Sequence, residues 1–290
     1  MLKEEISEID KLLKKCKFIR QRVTSYIEKR EKGYDPEKID KKDSLALIIG
    51  TICDQQIKAE IAWQIPYHLS KWLKSEGKAF KASDIKSIGK LKLRTWLSEH
   101  MKDKWPSKLS AEKREEWLDK ISSYIIAACE KIEKEYSDDP DNVFKVNDGK
   151  LSIPLIYFLL RQFPGIGPKK ASMIARDFAR GCEWLISIKE RMWRKGIKIE
   201  IKSQHFSEVP IDVHVKRVLK RLGFSRYNEP QDFQNLARLI FPENPGLVDD
   251  FIWNLGREVC RNPPKCSECP LKEICDYRRR NYEPYRKGSC

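Results

Sequence analysis

Two apolar helical runs, Pro154-Leu-Ile-Tyr-Phe-Leu-Leu160 and Ala171-Ser-Met-Ile-Ala-Arg-Asp-Phe178, are separated only by a short segment that contains Phe163-Pro-Gly-Ile-Gly-Pro-Lys-Lys170. In a connection that short, Gly165 and Gly167 on either side of Ile166 let the backbone turn tightly and lie close to a partner. The amides of such a turn and of the helix start behind it can face a phosphate. A helical hairpin with an anion-ready tip is the first element the chain demands.

The rest of the sequence asks for more helices. Ile6, Ile9, Leu12, Leu13, Cys16, Ile19, Val23 and Ile27 keep a three-four spacing, which predicts one long amphipathic helix over residues 4–30. A polar stretch from Glu31 to Lys42 breaks it. Helical patterns follow at about 44–58, 59–74, 88–99, 111–136 and 153–162, and again at about 212–223, 231–240 and 246–260. The exception is Gly196-Ile-Lys-Ile-Glu-Ile-Lys202, inside an insert spanning 190–208, whose strict alternation predicts a short β-ribbon. Trp193, with Arg191, Arg194 and Lys195 beside it, lies in the same insert, as a pocket lining, a brace or a surface ribbon. Trp96, Trp105 and Trp117 read as core aromatics.

Lys and Arg outnumber Asp and Glu enough to give a net charge of +15 over 290 residues, so a polyanion is the natural partner and nucleic acid leads. No apolar stretch is long enough to span a bilayer and the N-terminus lacks a signal-peptide core, so a soluble intracellular protein with no membrane partner is expected, in the cytoplasm or nucleoid, or the nucleus of a eukaryote. Nine cysteines are present, and four of them, Cys260, Cys266, Cys269 and Cys275, crowd into one segment with the spacing C-x5-C-x2-C-x5-C. That clustering favours a metal site over a disulfide scaffold. Four thiolates can enclose an iron-sulfur cube; zinc competes, although structural zinc sites commonly use two CxxC knuckles and only Cys266-Ser-Glu-Cys269 makes one here. Cys16, Cys53 and Cys129 read as small core residues, and Cys182 and Cys290 carry no readable role.

Three further groups carry chemistry. Lys169 and Lys170 sit side by side at a helix start, where an amine serves either as a phosphate contact or, partly unprotonated, as a nucleophile. Asp212 precedes Val213-His-Val-Lys-Arg-Val218 and is placed to cap that helix; a carboxylate so fixed is also a preorganised charge. His214 reads as packing or hydrogen-bonding within that helix. Cys53-Asp-Gln-Gln-Ile57 puts two amide side chains, Gln55 and Gln56, at a helix end.

The hairpin, the Val209-Pro-Ile-Asp-Val-His214 segment and the cysteine cluster together resemble the endonuclease III family of helix-hairpin-helix DNA glycosylases, over about residues 44–277. The resemblance implies an all-α, two-lobed fold: a helical barrel over 44–184 ending in the hairpin, and a second lobe joining 1–43 to 185–290 and carrying a [4Fe-4S] loop. It implies a DNA cleft between the lobes, with Lys169, two residues beyond the second hairpin glycine, as nucleophile and Asp212 as the carboxylate that activates it and supports oxocarbenium formation. Gly165, Gly167 and Lys170 would contact DNA, and Gln55, with Gln56 as close competitor, would fill the stack when a base is extruded. Cys260, Cys266, Cys269 and Cys275 would hold the cluster, although the first gap is one residue shorter than in the family. Adenine glycosylases of the superfamily carry a glutamate four residues before the plug glutamine; Thr51 stands here, which argues against their acid-catalysed route.

The resemblance therefore implies a monomeric base-excision glycosylase with abasic-site lyase activity on double-stranded DNA containing a damaged base or abasic site. Two alternatives stay open: a monofunctional glycosylase with Asp212-activated water, and a non-catalytic iron-sulfur DNA-binding accessory.

Overall fold

In a computed structural model of the chain, residues 2–30, 43–146, 150–180, 186–200, 209–224 and 229–282 are described. Thirteen α-helices and one pair of three-residue strands make up these segments. The chain divides into two compact units, Met1–Asp35 with Lys202–Cys290, and Pro36–Ile201. No described helix is long and apolar enough to cross a membrane.

The larger unit is built round α2 (Ser44–Cys53), all ten of whose residues are buried. A helix apolar on every side can only be central. Its start is fixed by Asp43, whose carboxylate accepts from the Ala46 N–H at 2.7 Å. Around it stand α3 (Ala59–Ala62), α4 (Ile65–Ser75), α5 (Ala82–Met101, interrupted at Gly89), α6 (Ala111–Glu135), α7 (Ile153–Arg161) and α8 (Pro168–Arg180). Ile48, Ile49 and Ile52 meet Leu69, Leu97, Ile121, Ile125, Ile156, Ile174 and Phe178 in one apolar cluster, each such side chain contributing about 1.5–3 kcal/mol of burial. As expected, Trp117 is core, and Trp96 and Trp105 pack against it.

The insert does more than make a ribbon. A helix the sequence reading did not foresee, α9 (Ile186–Arg194), precedes the strand β2 (Lys198–Glu200), and β2 pairs in parallel with β1 (Lys150–Ser152), Leu151 opposite Ile199. Parallel partners are always distant in sequence, so alternation within 196–202 identifies a strand but not its mate. A buried carboxylate reinforces the join: Asp141 accepts from Ser44 Oγ at 2.6 Å and lies 3.0 Å from Arg191 Nη2 and 2.7 Å from Lys195 Nζ. Residues 186–200 thus pack with the larger unit, and the boundary expected near 184 falls at 201–202. Residues 31–42 and 201–208, together with Cys182 and Cys290, lie outside the described segments.

The smaller unit gathers α1 (Leu2–Arg30), α10 (Val213–Leu219, followed by a π turn at Lys220–Phe224), α11 (Pro230–Ile240), α12 (Leu247–Glu258) and α13 (Asp276–Tyr282). Cys16, Ile19 and Val23 of α1 share a core with Val215, Val218, Phe233, Ile240 and Ile252. Lys15 fastens α1 to the C-terminal segment, donating to the Leu222 carbonyl at 2.7 Å and to Asp276 at 2.8 Å. Cys16, Cys53 and Cys129 are buried, as their apolar neighbours suggest.

Candidate active site and metal centre

The hairpin tip is shaped by Gly165. Its φ of +80° lies in the left-handed region, and a β-carbon there would come within 2.6 Å of the Tyr124 ring of α6. Tyr124 thus forms a wall of the turn, a role no sequence pattern marks beyond its place beside the Trp117, Ile121, Ile125 stripe. Gly167 differs, for a β-carbon there would meet nothing within 4 Å. Two basic side chains tidy the inner carbonyls: Arg161 donates to Ile166 O at 3.0 Å and Lys170 to Gly165 O at 2.9 Å. Proline at the first position of α8 removes one of the four amides that a helix start leaves without a partner.

The two hairpin lysines have parted. Lys170, expected to contact DNA, points inward: it is 8% exposed and its ammonium also donates to Ile52 O at 2.8 Å, at the C-terminal end of α2. This corrects the sequence reading, and the reason is electrostatic. The last turn of α2 has no basic residue of its own, its carbonyls carry partial negative charge, and Lys170 supplies the missing cation from across the core. Burial pushes its amine down to about 8, while Asp54 pulls the other way. Lys169 is half-buried and makes no hydrogen bond or ion pair among the described residues.

Lys169 opens onto a surface cavity of about 720 Å³, lined also by Asp54, Gln55, Tyr124, Arg161 and the turn Phe163–Pro168. Gln55 stands at its edge. The Trp117 indole N–H holds the Gln55 carbonyl at 2.8 Å, and the Gln55 amide folds back to donate to Ile52 O at 3.1 Å. Gln56 is exposed and takes a positive φ of 62°. Both glutamines therefore sit on one short turn beside the hairpin. Asp54 is a residue that sequence reasoning passed over; the signal was an acid directly after a helix C-terminus, where the dipole disfavours negative charge.

Asp212 belongs to the smaller unit. One carboxylate oxygen accepts from the N–H groups of His214 at 2.8 Å and Val215 at 2.9 Å, so the capping role holds and the second oxygen is left to other partners. His214 bonds to Arg217 through Nδ1 at 2.8 Å and packs edge-on to Trp253, as a structural histidine should.

Cys260, Cys266, Cys269 and Cys275 line one small pocket with Arg221, Lys265, Lys272, Tyr277 and Arg278. Arg217 and Arg221 both donate to the Cys260 carbonyl, at 2.8 and 3.0 Å, and Arg221 also reaches the Cys260 sulfur at 3.4 Å. Burial chiefly, and then the neighbouring thiols, hold Cys269 up at about 11. Four sulfurs around one cavity, ringed by cations, suit a polynuclear group carrying negative charge. Among the described residues no group of three or more His, Cys, Asp or Glu side chains is arranged to hold a metal ion.

No family model matches the chain. Its fold is that of the helix-hairpin-helix glycosylases: a non-covalent endonuclease III–DNA complex aligns with a TM-score of 0.58 at 16% identity, covering 91% of this chain and 97% of that one. A thermostable thymine-DNA glycosylase aligns with a TM-score of 0.56 at 14% identity, covering 92% and 98%. In sequence the chain is similar to endonuclease III of Thermotoga maritima, 32% identical over 72 residues, which is 24% of this chain and 34% of that protein. Endonuclease III of Rickettsia felis is 37% identical over 70 residues, 23% of this chain and 32% of its own length. That of Rickettsia prowazekii is 26% identical over 156 residues, 53% of this chain and 55% of its own. The matched segments thus span about a third to a half of these relatives' length. In fold, and over these partial stretches of sequence, the chain is similar to the helix-hairpin-helix DNA glycosylases.

Proposed function

We propose that this protein is a base-excision-repair DNA glycosylase with abasic-site lyase activity. The observation that carries the reading is the separation of the two hairpin lysines: Lys170 is spent on two carbonyls, whereas Lys169 meets an open cavity with its amine uncommitted. The similarity to endonuclease III supports the same assignment. A damaged base or a mismatched one would be extruded from duplex DNA, with Gln55 or Gln56 occupying the vacated stack. The hairpin amides, including that of Gly167, would take a phosphate. Lys169 would attack the anomeric carbon as the glycosidic bond breaks, Asp212 would stabilise the positive charge developing on the sugar, and the resulting Schiff base would permit β-elimination.

Cys260, Cys266, Cys269 and Cys275 would hold a [4Fe-4S] cluster, which supplies rigidity to the loop and needs no electron transfer for the reaction. Its cationic rim, Lys265, Lys272 and Arg278, would then be presented to phosphates. Anaerobic purification followed by iron and sulfide analysis tests it: about four of each per chain are expected, and stoichiometric zinc without iron would overturn the assignment.

Borohydride trapping on lesion-containing and abasic duplexes tests the enzyme reading. Covalent adduct with the wild type and none with Lys169→Gln is expected. Base release without adduct would favour the monofunctional route, in which Asp212 activates water. Background release across oxidised, deaminated and alkylated bases, equal in the wild type and Asp212→Asn, would favour the accessory role.

A further inference from the structure

Asp54 breaks a local rule. It caps the C-terminus of α2, donating its N–H to the Gly50 carbonyl, so its negative side chain stands at the negative end of a helix dipole. It is half-buried, yet its carboxyl makes no hydrogen bond or ion pair among the described residues. Taking a carboxyl partly out of water without a donor costs free energy, and such groups gather where function requires them. The other acid buried in this unit near α2, Asp141, is by contrast held by Ser44, Arg191 and Lys195.

The surroundings narrow what Asp54 can do. Of the charged groups lining the hairpin cavity, Arg161 is tied to Ile166 O and Lys170 to Ile52 O and Gly165 O. Asp54 and Lys169 remain, an uncommitted acid and an uncommitted amine lining one cavity. The groups acting on Asp54 are Lys169 and Lys170 from α8 and Glu60 from α3, with burial opposing ionisation more strongly than the lysines favour it. A carboxylate held above its usual range is a better proton acceptor than one in water.

Resting on the lyase reading of Lys169, we infer that Asp54 is a further catalytic residue, the proton acceptor for the Lys169 ammonium. Asp54 takes one proton from Nζ, and the nitrogen lone pair then adds to the aldehyde carbon of an opened abasic sugar. The proton returns to the hydroxyl of the carbinolamine, which leaves as water while the C=N bond forms. The balance is one ammonium and one aldehyde giving one iminium and one water, with Asp54 regenerated as carboxylate. Asp54 lies in the same compact unit as Lys169, so this transfer requires no arrangement of one unit against the other.

The test is single-turnover borohydride trapping on an abasic duplex, from mildly acid to mildly alkaline pH, with wild type, Asp54→Asn, Asp54→Ala and Lys169→Gln. Asp54→Asn is expected to trap roughly a hundredfold more slowly near neutrality, the deficit closing as pH rises because hydroxide replaces the lost base. Affinity for a duplex bearing a non-reactive abasic analogue should hold or tighten, since a negative charge near phosphates is gone. Formate should restore the rate of Asp54→Ala in proportion to its concentration, which a merely structural role would not allow. A rate profile for Asp54→Asn that superimposes on wild type, or a deficit independent of pH and unmoved by formate, overturns the inference while loss of trapping in Lys169→Gln leaves the lyase reading standing. Trapping that survives in Lys169→Gln, or is absent from wild type, sinks that reading and this inference with it.

Discussion

Replacing Gly165 by alanine separates two costs that the structure assigns to one position. The first is backbone: at φ +80° an L-residue is disfavoured by about 1–2 kcal/mol. The second is steric. The new β-carbon would stand 2.6 Å from Tyr124 Cδ2, against an ordinary carbon contact of roughly 3.5–4.0 Å, so something must yield by about 1 Å. Overpacking of that kind costs about 1–3 kcal/mol, and the two together give about 2–5 kcal/mol. Urea unfolding of Gly165→Ala, Tyr124→Ala and the double variant reads the terms apart. The steric part should vanish in the Tyr124→Ala background and the backbone part remain, giving a coupling of about 1–3 kcal/mol. Gly167→Ala is the control, expected to change stability by under about 1 kcal/mol because its β-carbon would meet open space. Additive costs for Gly165→Ala and Tyr124→Ala would refute the contact as the reason for glycine.

Other outcomes follow from the charged and imidazole groups. Burial first, then the Lys104 charge, holds His100 down at about 4, so between about pH 6.5 and 4 the unfolded chain binds a proton that the folded chain refuses. Stability should fall with pH across that window by about 1 kcal/mol once solvent screening is allowed for, and His100→Phe should flatten the slope in acid denaturation curves. Burial would raise the Asp141 carboxyl, but Lys195, Ser44 and Arg191 outweigh it and hold it below its ordinary range. Its contribution is present above the usual carboxylate pKa and is lost as pH falls through the depressed one; Asp141→Asn should lower stability at neutral pH by about 3 kcal/mol and leave no such acid loss. Lys170→Met should destabilise by about 1–3 kcal/mol per carbonyl left without its donor, read by thermal melting. Cys266→Ser should lower bound iron, measured spectroscopically, before it alters the helical content of residues 36–201.

The helices were legible because burial writes a period into the sequence. Ile48, Ile49 and Ile52, or Ile121, Ile125 and Ile132, leave little choice of element or facing side. The cap at Asp212 and the tight turn at Gly165 were legible too, since each needs a residue type that few others replace. What escaped was non-local. Nothing near Lys150-Leu-Ser announces a partner at Lys198, and α9 is short and highly charged. Lys169 and Lys170 are chemically identical neighbours; the family resemblance singles out Lys169, but only the fold, by placing the α2 carbonyls within reach of Lys170, shows that its neighbour is buried. Asp54 was visible as a misplaced charge, but its meaning depends on which lysines are already occupied.

The parallel pair β1–β2 brackets α7, the hairpin and α8 at their base, while Asp141 pins the helix that leads into β2. The hairpin is therefore the bight of a loop closed by a hasp rather than a projection anchored at one end. In hydrogen-exchange terms, the amides of the strand pair and of α8 should open as one cooperative unit. A proteolytic cut between α8 and α9 would then leave the tip seated until that hasp lets go.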